Sequence, residues 1–457
     1  MRRPAATTTA LAVTVAGTAV YLLAAQSAVL AWRVVPLVVA LVGYAALLGL
    51  AHRGRTPSAR AVAATAGVLL VLAVAVPPLH SRDVYLYAMQ GRIVAVHHAN
   101  PYVAEPNAFP DDPALGLVAE PFRDGASAYG PAFTAVETAV AASSGGSPTA
   151  ARIAFQGLAA AAVVASLFLV RRLGGGTAAM VFVGLNPALL AKGVNEGHVD
   201  VLLGLVVLGA VALARRRPVA AAAVLAVGAL IKLFVLLPLA ALLVWMLVHN
   251  GWRAALKAGA FAGSLVVAGY AAVGGARALQ PLREAALHQS RSSLWAQPRQ
   301  LLTGELATDG VSGSQAGADA RQVVGLLAML LVAVLAVAVV AAVVQRSSPA
   351  PTVVAALLAY LLASVYVPAW YMAVALPVAG LVWRSRLAVA VAVHGAGLAL
   401  VYVYSPALAD DPMASEVRFA STWVVPTAVA AAIAAILVAS GRSLRAQRPW
   451  ARPPRIA

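Results

Sequence analysis

Apolar residues arrive along this chain in unbroken runs of roughly 17 to 23, with no polar stripe recurring at helical spacing. The runs fall near 9–28, 34–51, 61–79, 153–170, 177–194, 199–214, 218–231, 233–248, 254–273, 322–344, 350–366, 369–383, 387–404 and 420–440. At about 1.5 Å per residue, most are long enough to cross a bilayer core of about 30 Å as helices. The pattern predicts an all-α polytopic membrane protein of about fourteen spans, or twelve to fourteen given the short pair 218–231 and 233–248, whose turn is marked by Lys232. Two polar stretches, 80–152 and 274–321, interrupt the series as long loops. Within the first, 129–143 is short and carries Glu137, so it reads as a surface or re-entrant helix. With no repeat, heptad or soluble module, residues 1–457 read as one membrane domain. It comprises three N-terminal spans (1–79), the first loop (80–152), central spans (153–273), the second loop (274–321), C-terminal spans (322–440) and a basic tail (441–457).

Composition sharpens this picture. Charged residues make up 11% of the chain, against about a quarter in soluble proteins. A formal charge of +17 invites a nucleic-acid reading, but its distribution points elsewhere. With the N-terminus in the cytoplasm, the cytoplasmic segments hold 20 of the 33 Lys and Arg residues and none of the 16 Asp and Glu. Lys and Arg on cytoplasmic loops set orientation, so the basic tail is an orientation signal that meets lipid headgroups. Both termini are then cytoplasmic in a multi-pass plasma-membrane protein, and every acid lies on the outer face. The first run also resembles a signal peptide, but an uncleaved first span closes the topology. The chain has no cysteine, which removes disulfides and thiolate metal sites.

The outer segments hold the candidate chemistry. HSRDVYLYAMQGRIVAVHHANPY (80–102) places Asp83 just after the third run, where an acid suggests function or caps a helix. A helix from Asp83 would put Tyr87, Gln90 and Val94 on one face. Arg82, Arg92, His97 and His98 in the same stretch fit a solvated loop as well as a site. KGVNEGHVD (192–200) gathers Asn195, Glu196, His198 and Asp200, suited to a polyhydroxylated substrate or, less readily, a divalent metal. Lys232 in GALIKLFVLLP either snorkels or holds an anion such as phosphate. Further outer cations are Arg283, His288, Arg291 and Arg299, and Tyr366, Trp370 and Tyr371 fit an interfacial aromatic belt. No phosphate-binding glycine loop, GxSxG elbow or HExxH is present.

Taken in order, RDVYLYAMQGRIVAVHHANPY, YGP, NEGHVD, IKLFVLLP and PAWYMAVALP resemble the GT-C glycosyltransferases over about residues 60–385. More closely, they resemble the actinobacterial polyprenol-phosphate-mannose-dependent alpha-1,6-mannosyltransferases. The resemblance implies a catalytic base at Asp83, with matching elements at Tyr85 and Tyr87, at Asn100, Pro101 and Tyr102, and at Tyr129, Gly130 and Pro131. The family's G-H-N-D turn falls on Gly197, His198, Val199 and Asp200, with valine replacing asparagine, and Ala369 splits the P-W-Y element. The chain is also somewhat short for that family.

The reading that follows is an inverting transfer of mannose from a polyprenyl-phosphate donor to a cell-envelope glycan or glycolipid acceptor on the extracytoplasmic face. No cofactor is required. Asp83 serves as base, and Arg82, Lys232, Arg291 or His98 faces the donor phosphate. The candidate sugar and acceptor contacts are Tyr85, Tyr87, Asn100, Tyr102, Tyr129, Asn195, Glu196, His198, Asp200, Trp370 and Tyr371. The alternative class, a transporter or lipid flippase, predicts ionisable residues in mid-span, whereas here they cluster at span ends.

Overall fold

The computed structural model describes residues 3–24, 26–285, 288–405 and 408–446, and helices are its only regular elements among them. The Arg283 side chain and most of the basic tail lie outside what is described. Helices α1 (Arg3–Ala24) and α2 (Ala31–His52) pack with their backbones in close approach. A Cβ on Gly17 would stand 2.6 Å from the Ala40 amide nitrogen, and one on Gly43 would stand 2.7 Å from that of Thr14. Small residues permit such packing where lipid leaves little hydrophobic drive between helices.

The third helix, α3 (Ala59–Ala75), is capped by Ser58, whose side chain accepts from the Ala61 amide. Next come α4 (Asp83–Ala95) and α5 (Pro131–Ser143), then α6 (Pro148–Val170), which runs through a π-type turn into α7 (Gly176–Gly184). A second π-type stretch, Leu189–Asn195, is bent by 107° against α8 (Asp200–Leu213). Then follow α9 (Pro218–Ile231), α10 (Leu236–His249), α11 (Trp252–Ala272), α12 (Gln280–Ala285) and α13 (Ala296–Thr308). The chain ends with α14 (Gly313–Val343), α15 (Ala350–Ala363), α16 (Met372–Gly380), α17 (Arg386–Val401), α18 (Ala414–Phe419) and α19 (Val425–Ala446).

Each of the fourteen expected runs coincides with helix, yet only six helices among the described residues meet a full span's length and hydropathy. Counting the bent pair as one span makes seven. The shortfall has local causes. Two expected runs join across Gly174 (φ 88°) into one apolar element, Pro148–Gly184, the next is bent at residues 196–199, and α3, α9, α10, α15, α16 and α17 are short. Several of the shorter apolar helices are shielded from lipid; α15 and α16 are buried almost throughout, so bilayer thickness does not fix their length. In contrast, α14 has a mean hydropathy of 3.2 over its most apolar stretch and only 17% of it is buried, as a lipid-facing helix requires. One buried apolar cluster runs from Ala10 in α1 to Ile433 in α19.

Hydrogen bonds gather the connections at the two ends of the bundle. At one end Leu30 binds Asp411, Asn100 reaches the Val273 carbonyl, Gly130 the Ile231 carbonyl, and Ser292 the Val367 carbonyl. At the other, Trp245 and His249 donate to the carbonyls of Arg346 and Val344. All the outer segments assigned from charge that appear in these bonds lie at the first end.

Candidate active site

Asp83 is the first residue of α4 and does not cap it. Ser81 Oγ donates to its Oδ1 (2.9 Å) and accepts from its amide (3.1 Å), which fixes the carboxylate from behind. Tyr87 and Gln90 are buried on the same helix, as the spacing predicts. The Tyr129 hydroxyl donates to that of Tyr87 (3.3 Å), and Ser127 donates to Gln90 (3.0 Å). Gly130 explains how the Y-G-P element meets the lysine turn. Its amide binds the Ile231 carbonyl at 2.9 Å, and a Cβ there would lie 2.2 Å from the Leu230 oxygen. Tyr129 is thereby held beside Lys232, 5.9 Å from ammonium to ring centre.

The break at 196–199 is wholly buried. Lys192 Nζ donates to Glu196 Oε1 (3.1 Å) and meets His80 Nδ1 (2.7 Å). Glu196 Oε2 lies 3.3 Å from His198 Nε2, and His198 Nδ1 lies 3.4 Å from Asp83 Oδ2. The His198 ring stacks on Trp370 at 3.8 Å, 11° from parallel. Gly197 (φ 65°) makes this approach possible, since a Cβ would press on Val84 of α4 at 2.4 Å. Asn195 donates to the carbonyls of Ala73, Val76 and Pro77 and accepts from the Leu79 amide, tying the break to the segment that carries Asp83. Asp200 takes Lys232 Nζ at 2.9 and 3.1 Å, and the ammonium sits 4.2 Å from the Tyr371 ring centre. Among the described residues no three His, Asp or Glu side chains converge as a metal ion needs. Here they pair with lysines and with one another.

Asp83 lines a cavity of about 690 Å³. Of the residues singled out from sequence, it also receives Tyr129, Lys232, Trp370, Tyr371, Tyr366, Gln90 and His288. Part of its lining is apolar, with Leu233, Phe234 and Leu282 and, from α14, Leu326 and Met329, which are otherwise exposed. Arg321, which sequence reasoning did not select, also lines the cavity, and among the described residues it has no acid partner. Its signal was weak: one base before the most apolar run of the chain. Lys192 was passed over too, although its i,i+4 spacing to Glu196 was visible.

The other candidates stand away from the cavity wall. Arg82 and His98 are exposed, and Tyr85 lines a separate small crevice on the far side of α4. Arg291 donates to the Tyr404 carbonyl and stacks over Tyr402. Asn100 binds the Val273 carbonyl and the Tyr102 amide, and the Tyr102 hydroxyl pairs with Thr134 (2.9 Å). Asn195, Glu196, His198 and Asp200 lie behind the wall. Asp112 clamps the loop over the site, taking Arg92 Nε at 2.9 Å and His97 Nε2 at 2.7 Å. Burial works to raise its carboxyl, but bonds from Arg92, the Ala114 amide and His97 outweigh it, so the group titrates below its ordinary value. Burial, aided by the Lys192 charge, pushes His80 down to about 4, leaving it neutral beside that lysine.

No curated protein matches the chain. A family profile described as alpha-(1->6)-mannopyranosyltransferase, N-terminal domain, matches residues 3–249, the half that carries α4, the buried break and Lys232. This polytopic membrane protein thus belongs to the alpha-(1->6)-mannopyranosyltransferase family and is a mannosyltransferase.

Proposed function

We propose that the protein transfers mannose from polyprenyl-phosphate mannose to a hydroxyl of a cell-envelope glycan or glycolipid, on the extracytoplasmic face and with inversion. The observation that carries this reading is a single cavity joining a carboxylate, two cations and an apolar part of the lining that includes residues of α14. A lipid-phosphate sugar has the matching order of parts. Its isoprenoid lies along Leu233, Phe234, Leu326 and Met329, its phosphate faces Arg321 and Lys232, and its sugar lies over Trp370 and Tyr371. The Asp200 carboxylate offsets Lys232, so Arg321 supplies the uncompensated charge.

In the transfer step Asp83 takes the proton from the acceptor hydroxyl. That oxygen attacks the anomeric carbon from the face opposite the phosphate. The anomeric C–O bond breaks, its electron pair leaving with polyprenyl phosphate. A positioned base contributes about 10²- to 10⁴-fold, and the cations stabilise the charge that develops on the leaving group. The one-sided placement of acids and the basic cytoplasmic segments support an outward active site.

The test uses protein in nanodiscs supplied with polyprenyl-phosphate mannose and a mannosylated acceptor. Wild type should form a new alpha-mannosidic bond, and Asp83→Asn should lower kcat by at least about 10²-fold with unchanged thermal stability. Retention of wild-type turnover in Asp83→Asn removes the base assignment. Movement of the lipid donor across the bilayer without any glycosidic product would favour a flippase instead.

A further inference from the structure

The chain of contacts behind Asp83 extends the site in a direction the transfer reaction alone does not demand. Resting on the reading above, we propose that His198 is a positioning residue whose bare Nδ1 receives, through Asp83, the proton taken from the acceptor.

The argument begins at Glu196. Its Oε1 is occupied by the Lys192 ammonium at 3.1 Å, which keeps the carboxylate ionised in a buried setting. The nitrogen facing Oε2 is His198 Nε2, at 3.3 Å. A carboxylate only accepts hydrogen bonds, so the ring proton belongs on Nε2. A neutral imidazole carries one such proton, which leaves Nδ1 as a lone pair. Nδ1 is fully buried, has no hydrogen-bond partner, and faces Asp83 Oδ2 at 3.4 Å. Two acceptors therefore oppose each other in the resting state, close together but with no hydrogen bond between them.

Protonation of Asp83 changes the match. An acid O–H at Oδ2 would have Nδ1 as its natural partner, so the surroundings suit Asp83 after it has taken a proton better than before. Interactions of that kind accelerate a reaction, because they strengthen toward the transition state. The proton passes from the acceptor oxygen to Asp83 and from Oδ2 to Nδ1, while the acceptor oxygen bonds to the anomeric carbon and the phosphate departs with its electron pair. The imidazolium that results lies between the Asp83 and Glu196 carboxylates.

Other groups near the ring fit this role. Lys192 pairs with Glu196, so the carboxylate facing the ring already has a cation partner. His80, from the segment before α4, lies 3.4 Å from Glu196 Oε1 and is neutral. Trp370 covers one ring face, with Tyr402 and then Arg291 beyond it. Asp200 is committed to Lys232.

Histidine-selective ¹⁵N NMR of the intact protein in nanodiscs at neutral pH reads the tautomer without turnover, with the His198 signal identified by its loss in His198→Gln. The expected result is a protonated Nε2 and a bare Nδ1, and in Glu196→Gln a mixture of tautomers. In the transfer assay, His198→Phe retains the stack on Trp370 and should lower kcat by about 10- to 100-fold with donor KM unchanged. A proton on Nδ1 in wild type, or wild-type kcat in His198→Phe, would overturn the proposal. Correct tautomers in a protein that transfers no mannose from the lipid donor would sink the donor reading and leave the His198 geometry standing.

Discussion

Two stretches of this chain are equally rich in polar residues, and the fold uses them in opposite ways. In 80–102 most of the polar groups after Asp83 hold loops together. Arg92 and His97 grip Asp112, Asn100 binds the Val273 carbonyl, and Tyr102 pairs with Thr134. In 192–200 the charged groups are buried, interlocked, and arranged so that one line of contacts reaches Asp83. Density of polar residues marked both regions, but the partner each group meets separates a staple from a site, and only the contacts of 192–200 reach Asp83. A group that could bond to water and instead meets another charge in the interior carries a large desolvation cost.

The largest test of this contrast breaks the interior pair. Lys192→Met leaves Glu196 buried with its charge uncompensated, and such a loss destabilises by about 3–5 kcal/mol. Adding Glu196→Gln should recover much of that loss, because the double variant buries no unpaired charge. Denaturant or thermal unfolding in nanodiscs reads both. Destabilisation of the double variant equal to the sum of the Lys192→Met and Glu196→Gln single variants would show that the two side chains do not act as a pair.

A smaller effect is expected in the cap. Asp112→Asn removes charge-assisted bonds to Arg92 and His97, each class of bond being worth about 1.5–3 kcal/mol. The loss should be local, freeing residues 97–124 while the bundle holds. The pH dependence has a defined sign. The Asp112 carboxyl is depressed in the folded state, so its stabilisation is present above the ordinary carboxylate value of about 3.9 and fades as pH falls below it. Hydrogen-exchange protection of the Ala114 amide, which donates to Asp112 Oδ1 at 2.9 Å, should be lost below about pH 4 relative to the intrinsic rate at each pH. Protection that persists there would mean that the cap is held by its apolar contacts, such as Phe109 stacked on His97.

How far the sequence discloses these arrangements depends on their range. The start of α4 at Asp83, the burial of Tyr87 and Gln90, and the short helix over 131–143 follow from local spacing and were legible. Fourteen helical runs were legible as well, with the breaks near Gly174 and at Lys232 between them, but hydropathy does not say which of these helices stop short of a full span's length. The contact of His198 with Asp83 joins residues 115 positions apart and depends on the bend at 196–199, which no periodicity announces. Of the four phosphate candidates only Lys232 lines the cavity, Arg291 binds the Tyr404 carbonyl, and Arg82 and His98 are exposed, because a cation in a loop looks the same in sequence wherever it faces.

Arg321 is a third kind of charge, neither staple nor buried partner, and it gives the mildest prediction. It stands in the first turns of α14, where the polar start of that helix meets its apolar length, and it lines the cavity with no acid partner among the described residues. An exposed cation with no partner contributes nothing measurable to folding, so Arg321→Gln should leave unfolding unchanged within about 0.5 kcal/mol. If it faces the donor phosphate, whose charge grows as the anomeric bond breaks, its loss weakens both the bound donor and, more, the transition state. Donor KM should then rise up to about tenfold, with kcat falling as well. Arg321→Lys should restore part of the affinity, since an ammonium supplies charge without the planar fork that phosphate oxygens favour. An unchanged donor KM in Arg321→Gln would transfer the phosphate to Lys232, and Asp200→Asn, by removing the carboxylate that offsets that lysine, should then tighten donor binding.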